Sequence, residues 1–531
     1  MARLLLLLGV LPAASGAPVV YPAAPNVTLD ARASLACDGF PIPLAYEAGS
    51  DVRAVGPPPL PSSRARWASD GVSRCALTVE GAGGGGAWVL RAAGRDVPFS
   101  SSNSEAAGEA AGGTATTFAF ALDGPGNYYL RSATRRYYLW VDPLSALAAP
   151  AGAVELGTDG TGSTGWLAAA CESGAPVVLG PGVHGTGAAT LPANATLFLR
   201  PGAVLRYDGS DARGAGAFLG LSSKNTLAGV GAIEANGFPG RGVEVVGARG
   251  VRIGALFLSG SRGWAVHVLA SSDVNVTGAR IFSGADGVDP DSSSDVLITN
   301  VFVHAWDDAI AVKATVAGAP AERIRVEGCV VSTRKSAFKL GTESESPLRD
   351  VAFERSDAFD AGRGLVIYAK DGGDVRGVLY RDLRVDFYDY ANEKIVGRAI
   401  DFQLEHRDGY STAANVTVSR VDATWFGPAV VRGNDVASLG GVALDGLKID
   451  VREPYRAAAG AADRPFLFDC HNADIARDGV VAARLAVRWR DNEPLWAGLS
   501  KRWPGWPDAL QGPASLCPDP PNPGGVRRQP S

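Results

Sequence analysis

The 531-residue sequence predicts an all-β protein, a right-handed parallel β-helix preceded by a small β-sandwich domain. Three observations carry this reading. First, from about residue 176 onward, short segments with apolar residues at i and i+2 recur, each followed by Gly, Asn or Asp. The pairs are Val251/Ile253, Val274/Val276, Val296/Ile298, Ile324/Val326, Val351/Phe353, Val378/Tyr380, Val416/Val418 and Val442/Leu444. Second, they are spaced by 23, 22, 28, 27, 27, 38 and 26 residues, the mark of a solenoid in which each repeat buries its apolar face against the next. Third, β-branched residues fill these segments and the 3.6-residue helical period is missing, which excludes helical repeats. Leucine-rich repeats are the alternative, but their leucine consensus is absent. Strands of successive coils are expected to stack at about 4.8 Å.

Taken in order, residues 1–17 read as a secretory signal peptide, with Arg3, an apolar run from Leu4 to Leu11 and small residues up to Ala17. That run is too short to span a bilayer. A secreted, extracellular protein is therefore expected, with no membrane partner once the signal is cleaved. Residues 18–145 carry short alternating or aromatic runs (VTLDA, GAWVLRAA, TTFAFAL, NYYLRS, YYLWV) separated by Gly, Pro and Ser, as strands of a β-sandwich are. The run Gly83–Gly86 lacks a following Lys-Ser/Thr and is a loop, not a phosphate cradle. A connector over 143–163 leads to a short helix, Thr164 to Glu172. The β-helix is assigned to 146–490. Residues 491–531 form a Trp- and Pro-rich cap (Trp496, Trp503, Trp506) and a disordered tail.

Composition narrows the partners. With 50 basic against 55 acidic residues and a net charge of −5, neither nucleic acid nor an anionic membrane is the expected partner. A monomer is expected. Six cysteines suit disulfides in an exported protein, and the most economical pairings are Cys37–Cys75 and Cys470–Cys517. Cys/His spacing for zinc is absent. Asn26, Asn194, Asn275 and Asn415 are in glycosylation sequons.

The chemistry concentrates between Ser283 and Ala314. Asp286, Asp289 and Asp291 form one acidic cluster, and Asp307 with Asp308 a second. Asp286 and Asp308 are 22 residues apart, one coil, so Asp286-Gly-Val stacks beside Asp308-Ala-Ile and three carboxylates converge on one groove. The next coils bring Ser336 to Lys339 and Arg363 to Lys370 alongside. Turn-capping is the ordinary use of a single Asp; three at coil spacing point to catalysis. A calcium loop of Asp286, Asp289 and Asp291 is the competing reading, but it lacks a bidentate Glu at loop spacing.

On these residues the sequence resembles glycoside hydrolase family 28, the polygalacturonase type with the pectin-lyase-like β-helix, and the dextranase-type enzymes of family 49. ADGVDPDSSSDVLITN followed by DDAIAVK is the most specific match; GPGVH, LFLRPGAVL, GVGAIEANG, LGTES and YAKDGGDVRGV extend it. The first domain, with FALDGPGNYYL and LWVDPL, is similar to the β-sandwich of the dextranase-type relatives. Two family motifs are missing. The Gly-His-Gly position falls at Lys335-Ser336-Ala337 without histidine, and the Arg-Ile-Lys position at Val366-Ile367-Tyr368 without either cation. This points away from a strict polygalacturonase, although Lys339 and Lys370 stand close enough to substitute.

The resemblance implies inverting hydrolysis of a polysaccharide or oligosaccharide without metal or cofactor. Asp307 is the implied general acid, and Asp286 with Asp308 the carboxylates that prepare water, about 6.5–9.5 Å from the acid. Crowding is expected to keep Asp307 protonated near neutral pH. Candidate substrate contacts are Lys339, Lys313, Trp306, Asp289, Arg363 and Lys370. Trp264 reads as packing, His304 as an ordinary outward polar residue, and Glu405-His406-Arg407 as surface salt-bridging. The alternatives are a calcium-dependent polysaccharide lyase and a non-catalytic carbohydrate-binding β-helix.

Overall fold

The computed structural model describes residues 18–21, 29–47, 62–80, 88–105, 114–132, 135–158, 165–210, 216–386, 398–425, 429–434, 439–451, 468–471 and 485–489. The signal segment, Asn26, Gly83–Gly86, Cys517 and the Trp/Pro-rich tail lie outside these residues, and so does the pairing of Cys470. No helix among the described residues is long and apolar enough to cross a membrane.

From Val154 onward the chain winds as a parallel β-helix. All eight apolar pairs stack in register, Val251 on Val274, Val274 on Val296, and so on to Val416 on Val442. Their side chains face inward and build one continuous aliphatic core. Each pair is preceded by a residue in the left-handed backbone region: Gly250, Asp273, Asp295, Arg323, Asp350, Gly377, Asn415 and Gly441. Gly, Asn and Asp tolerate that conformation best, so a repeated kink explains why these types recur at this corner; Arg323 is the exception. A coil contributes one strand to an 11-stranded sheet and two to a 22-stranded sheet, as Val288–Asp291, Ser294–Thr299 and Phe302–Ala305 do. The short helix is Trp166–Cys171, and it buries Leu167 and Cys171 against the first coils. Strands Phe468–His471 and Leu485–Trp489 continue the two sheets as late coils.

The first domain is a sandwich of a seven-stranded and a five-stranded sheet, mostly antiparallel, around its own aromatic and aliphatic core. The Cys37–Cys75 disulfide joins two neighbouring strands of the smaller sheet. Cys171 and Cys329 are buried and free.

The sandwich docks on the outer face of the 22-stranded sheet. Tyr129 stacks on Phe359 at 4.4 Å between centroids, and Tyr138 and Trp140 meet Phe302 at 4.8 and 5.3 Å. Buried ion pairs surround these rings. Asp142 meets Arg66 at 2.6 Å and Arg280 at 2.8 Å, Arg136 meets Asp360 at 2.5 Å, and Arg384 holds Asp357. His304 does point outward, but it sits half-buried at this face against Phe282, with burial pushing its pKa down to about 4. It is therefore not the ordinary solvated polar residue expected. The described residues of the sandwich pack on the 22-stranded sheet, and the acidic cluster lies along the 11-stranded one.

Candidate active site

Backbone hydrogen bonds fix the stacking. Ala265 N–H donates to Asp286 O at 2.9 Å, Gly287 N–H to Asp308 O at 2.9 Å, and Ala309 N–H to Ser336 O at 2.8 Å. Trp264, Asp286, Asp308 and Ser336 thus form one outward column, continued by Arg363, which is paired with Ser336. Gly287 permits the close approach: a Cβ there would stand 2.4 Å from both Ala309 O and a Val303 methyl.

Oxygens of Asp286, Asp307 and Asp308 lie within 4.8 Å of one another. The nearest oxygens of acid and base are thus closer than the expected 6.5–9.5 Å, because Asp307 is the sequence neighbour of Asp308 and Asp286 lies one coil, about 4.8 Å, from Asp308. Asp286 accepts from the Asp308 N–H at 3.1 Å and from Lys313 Nζ at 2.7 Å. Asp308 accepts from the Ser336 N–H at 3.0 Å and from Lys339 Nζ at 2.5 Å. A divalent cation here would have to displace both ammonium groups, so this donor set does not suit a metal. The calcium reading fails on contacts too: Asp291 accepts from Thr315 N and Oγ1 at 2.8 and 2.7 Å and meets His267 Nε2 at 3.2 Å.

The environments drive the carboxyl groups apart. Burial, with Asp308 and Asp286 adding to it, pushes half-buried Asp307 up to about 6. Burial alone would raise Asp308 as well, but Lys339 and Arg363 outweigh it and hold Asp308 at about 2. Burial raises Asp286, Lys313 opposes the rise and Asp308 adds to it.

Several expected substrate contacts are not at the groove surface. Lys313 is 3 % exposed, enclosed by Asp286, Asp289 (3.5 Å) and Glu343 (3.5 Å), with Nζ 3.8 Å from the Trp264 ring centre. Its strand alternates, with Ile310, Val312 and Ala314 in the core, so Lys313 lies on the opposite face, paired with Asp291 of the preceding coil. Asp289 is 0 % exposed behind it and reaches no groove surface. Lys339 is buried by its bonds to Asp308 and Thr342. Of the remaining candidates, Trp306 is half-buried under the Arg334 guanidinium at 3.8 Å, and Arg363 lies 3.7 Å from Asp401. Lys370 pairs with Glu405 at 2.7 Å, and Glu405 also accepts from Tyr368. Arg407 holds Asp371 through two bonds of 2.7 and 2.6 Å.

Sequence reasoning missed Trp264, His267 and Glu343. Trp264 does not pack in the core; Lys313 sits over its ring, and the His267 ring meets it edge-on at 4.8 Å. His267 bridges Glu244 at 3.0 Å and Asp291 at 3.2 Å. The signal was available: sliding Asp286-Gly-Val-Asp289 back one 22-residue coil lands on Trp264-Ala-Val-His267.

No family model matches the chain. A protein of Vitis vinifera named "Probable polygalacturonase" is 25 % identical over 155 residues, 27 % of this chain. The similarity is to polygalacturonases. The matched stretch spans 31 % of that relative's length. Among solved structures, Dex49A from Penicillium minioluteum aligns with a TM-score of 0.50 at 10 % identity, covering 88 % of this chain and 96 % of that one, and it shares the fold. An exopolygalacturonase from Thermotoga maritima aligns at 0.48 and 15 % identity, over 58 % of this chain and 88 % of its own.

Proposed function

We propose that this polygalacturonase-like chain is a secreted glycoside hydrolase that cleaves O-glycosidic bonds of a polysaccharide or its oligomers, and that it is not a strict polygalacturonase. The observation that carries the reading is the convergence of three carboxyl groups in which Lys339 and the Ser336 N–H hold Asp308 ionised, while burial and the neighbouring carboxylates raise Asp307. Two carboxyls pushed apart in this way are an acid and a base at the same pH. Asp307 protonates the leaving oxygen. Asp308, ionised and oriented by Lys339 and the Ser336 N–H, takes a proton from water with Asp286 beside it. The water then attacks the anomeric carbon from the opposite face, with inversion.

Reducing-end release across neutral and acidic polysaccharides, without added metal, tests the assignment. Asp307→Asn is expected to cut turnover by about 10²–10⁴-fold, the worth of a positioned general acid. Equal release by wild type and variant would unseat Asp307. Unsaturated products would move the chain to the lyases, and tight glycan binding without turnover would make it a binding protein. The close carboxylate spacing makes stereochemistry the sharper test. Proton NMR of the first-formed anomer should report inversion; retention would turn Asp308 from base into nucleophile.

A further inference from the structure

Asp289 and Asp291 are the members of the acidic clusters that this mechanism does not use, and Asp291 is satisfied by Thr315 and His267. Asp289 is fully buried, and neither carboxylate oxygen receives a hydrogen bond. The nearest cation, Lys313, is 3.5 Å away, is bound more closely to Asp286 at 2.7 Å, and also faces Glu343 at 3.5 Å. Three carboxylates therefore divide one ammonium. The other charged neighbours do not relieve Asp289: Asp308 adds negative charge nearby, and His267, its partner on the preceding coil, directs its ring nitrogens to Glu244 and Asp291. A buried carboxylate without donors is so costly that such groups take up a proton instead.

We propose that Asp289 is a positioning residue that carries a proton and donates it to Asp286, so that Asp286, which already accepts from Lys313 and from the Asp308 N–H, gains a third donor in the Asp289 hydroxyl. This accounts for the missing hydrogen bonds, since two ionised carboxylates only accept and cannot bond to each other until one takes up a proton. It also leaves Lys313 committed to Asp286. Burial, and Asp286 as the acceptor of that proton, act in the same direction and raise the Asp289 pKa well above the usual carboxylate range. The role in turnover rests on the hydrolase reading above; the proton on Asp289 does not.

The test has two arms. Infrared difference spectra of Asp307→Asn against Asp307→Asn/Asp289→Asn at neutral pH should show the carboxylic acid carbonyl band of Asp289, lost in the double variant. An ionised-carboxylate band in its place would overturn the proposal, whether or not any glycan is cleaved. In the kinetic arm, Asp289→Asn, a neutral isostere that still donates, should retain kcat/KM within about threefold. Asp289→Leu should lose at least about tenfold, chiefly in kcat. If Asn cost as much as Leu while both variants kept the wild-type unfolding midpoint, Asp289 would be acting as an anion and the proposal would fall. A wild type inactive on every glycan would remove the hydrolase reading alone.

Discussion

Buried acidic residues occur both where the sandwich meets the solenoid and at the candidate site, and they are neutralised differently. Under the sandwich, Asp142, Asp357 and Asp360 are each held by arginine: Arg66 and Arg280, Arg384, and Arg136. On the 11-stranded sheet, Asp286 and Asp308 are held by lysine, Lys313 and Lys339. Arginine stays charged when buried and offers a rigid planar fork, which suits a fixed interface. Even Arg280, pushed down to about 10 by burial, is charged at neutral pH. Lysine is a compact point charge that can hold one carboxylate oxygen and leave the other directions open to water and substrate. The docking interface is built for permanence, and the lysine-held pair at the candidate site for tuning the protonation of its neighbours; further along the same sheet arginine returns, with Arg407 on Asp371.

Removing one cation from each region should separate these roles. Lys339→Met leaves Asp308 buried without its ammonium, so it takes up a proton and no longer activates water. Turnover should fall by about 100- to 1,000-fold, the usual cost of losing one preorganised electrostatic contact, with little change in substrate KM. Arg280→Met removes one of the two guanidinium groups on Asp142, leaving Arg66, and should cost about 1.5–3 kcal/mol of stability, with kcat of the folded protein unchanged. Urea unfolding and steady-state kinetics on both variants decide the matter. If Arg280→Met lowered kcat and Lys339→Met mainly lowered stability, the division between the regions would be wrong.

The same contrast explains what could be read from sequence. The inward ladder was legible because it repeats: every coil needs an apolar residue at the same place, and all eight pairs stack as their spacing implied. Asp286, Asp307 and Asp308 were legible because a one-coil offset superimposes them. Outward residues follow no repeat, so their surroundings are set by whatever covers that face. His304 looked like a polar surface residue until the sandwich was placed over it. Lys313 looked like the end of a strand, and its burial depends on Asp286, Asp289, Glu343 and Trp264 closing around it from neighbouring coils. Asp289 and His267 share a column, but burial on the 11-stranded sheet depends on long side chains from neighbouring coils that no local pattern specifies.

The smallest expected effect tests whether the candidate site really tunes Asp307. Lys335 is half-buried near Asp307 and lowers its pKa by charge alone, against burial, Asp308 and Asp286, which raise it. The acid must be protonated to act, so activity should decline as pH rises through about 6, while Asp308 stays ionised down to about 2. Lys335→Ala removes one of two opposing cations, Lys339 being the other, makes Asp307 harder to ionise, and should move that alkaline limb upward by roughly 0.3–0.5 pH unit. Because Lys335 is partly in contact with solvent, added salt should shrink the difference between variant and wild type. The limb itself, set by burial and by Asp308 tied to Lys339, should hardly move with salt. A downward shift in Lys335→Ala would mean that the limb reports some group other than Asp307.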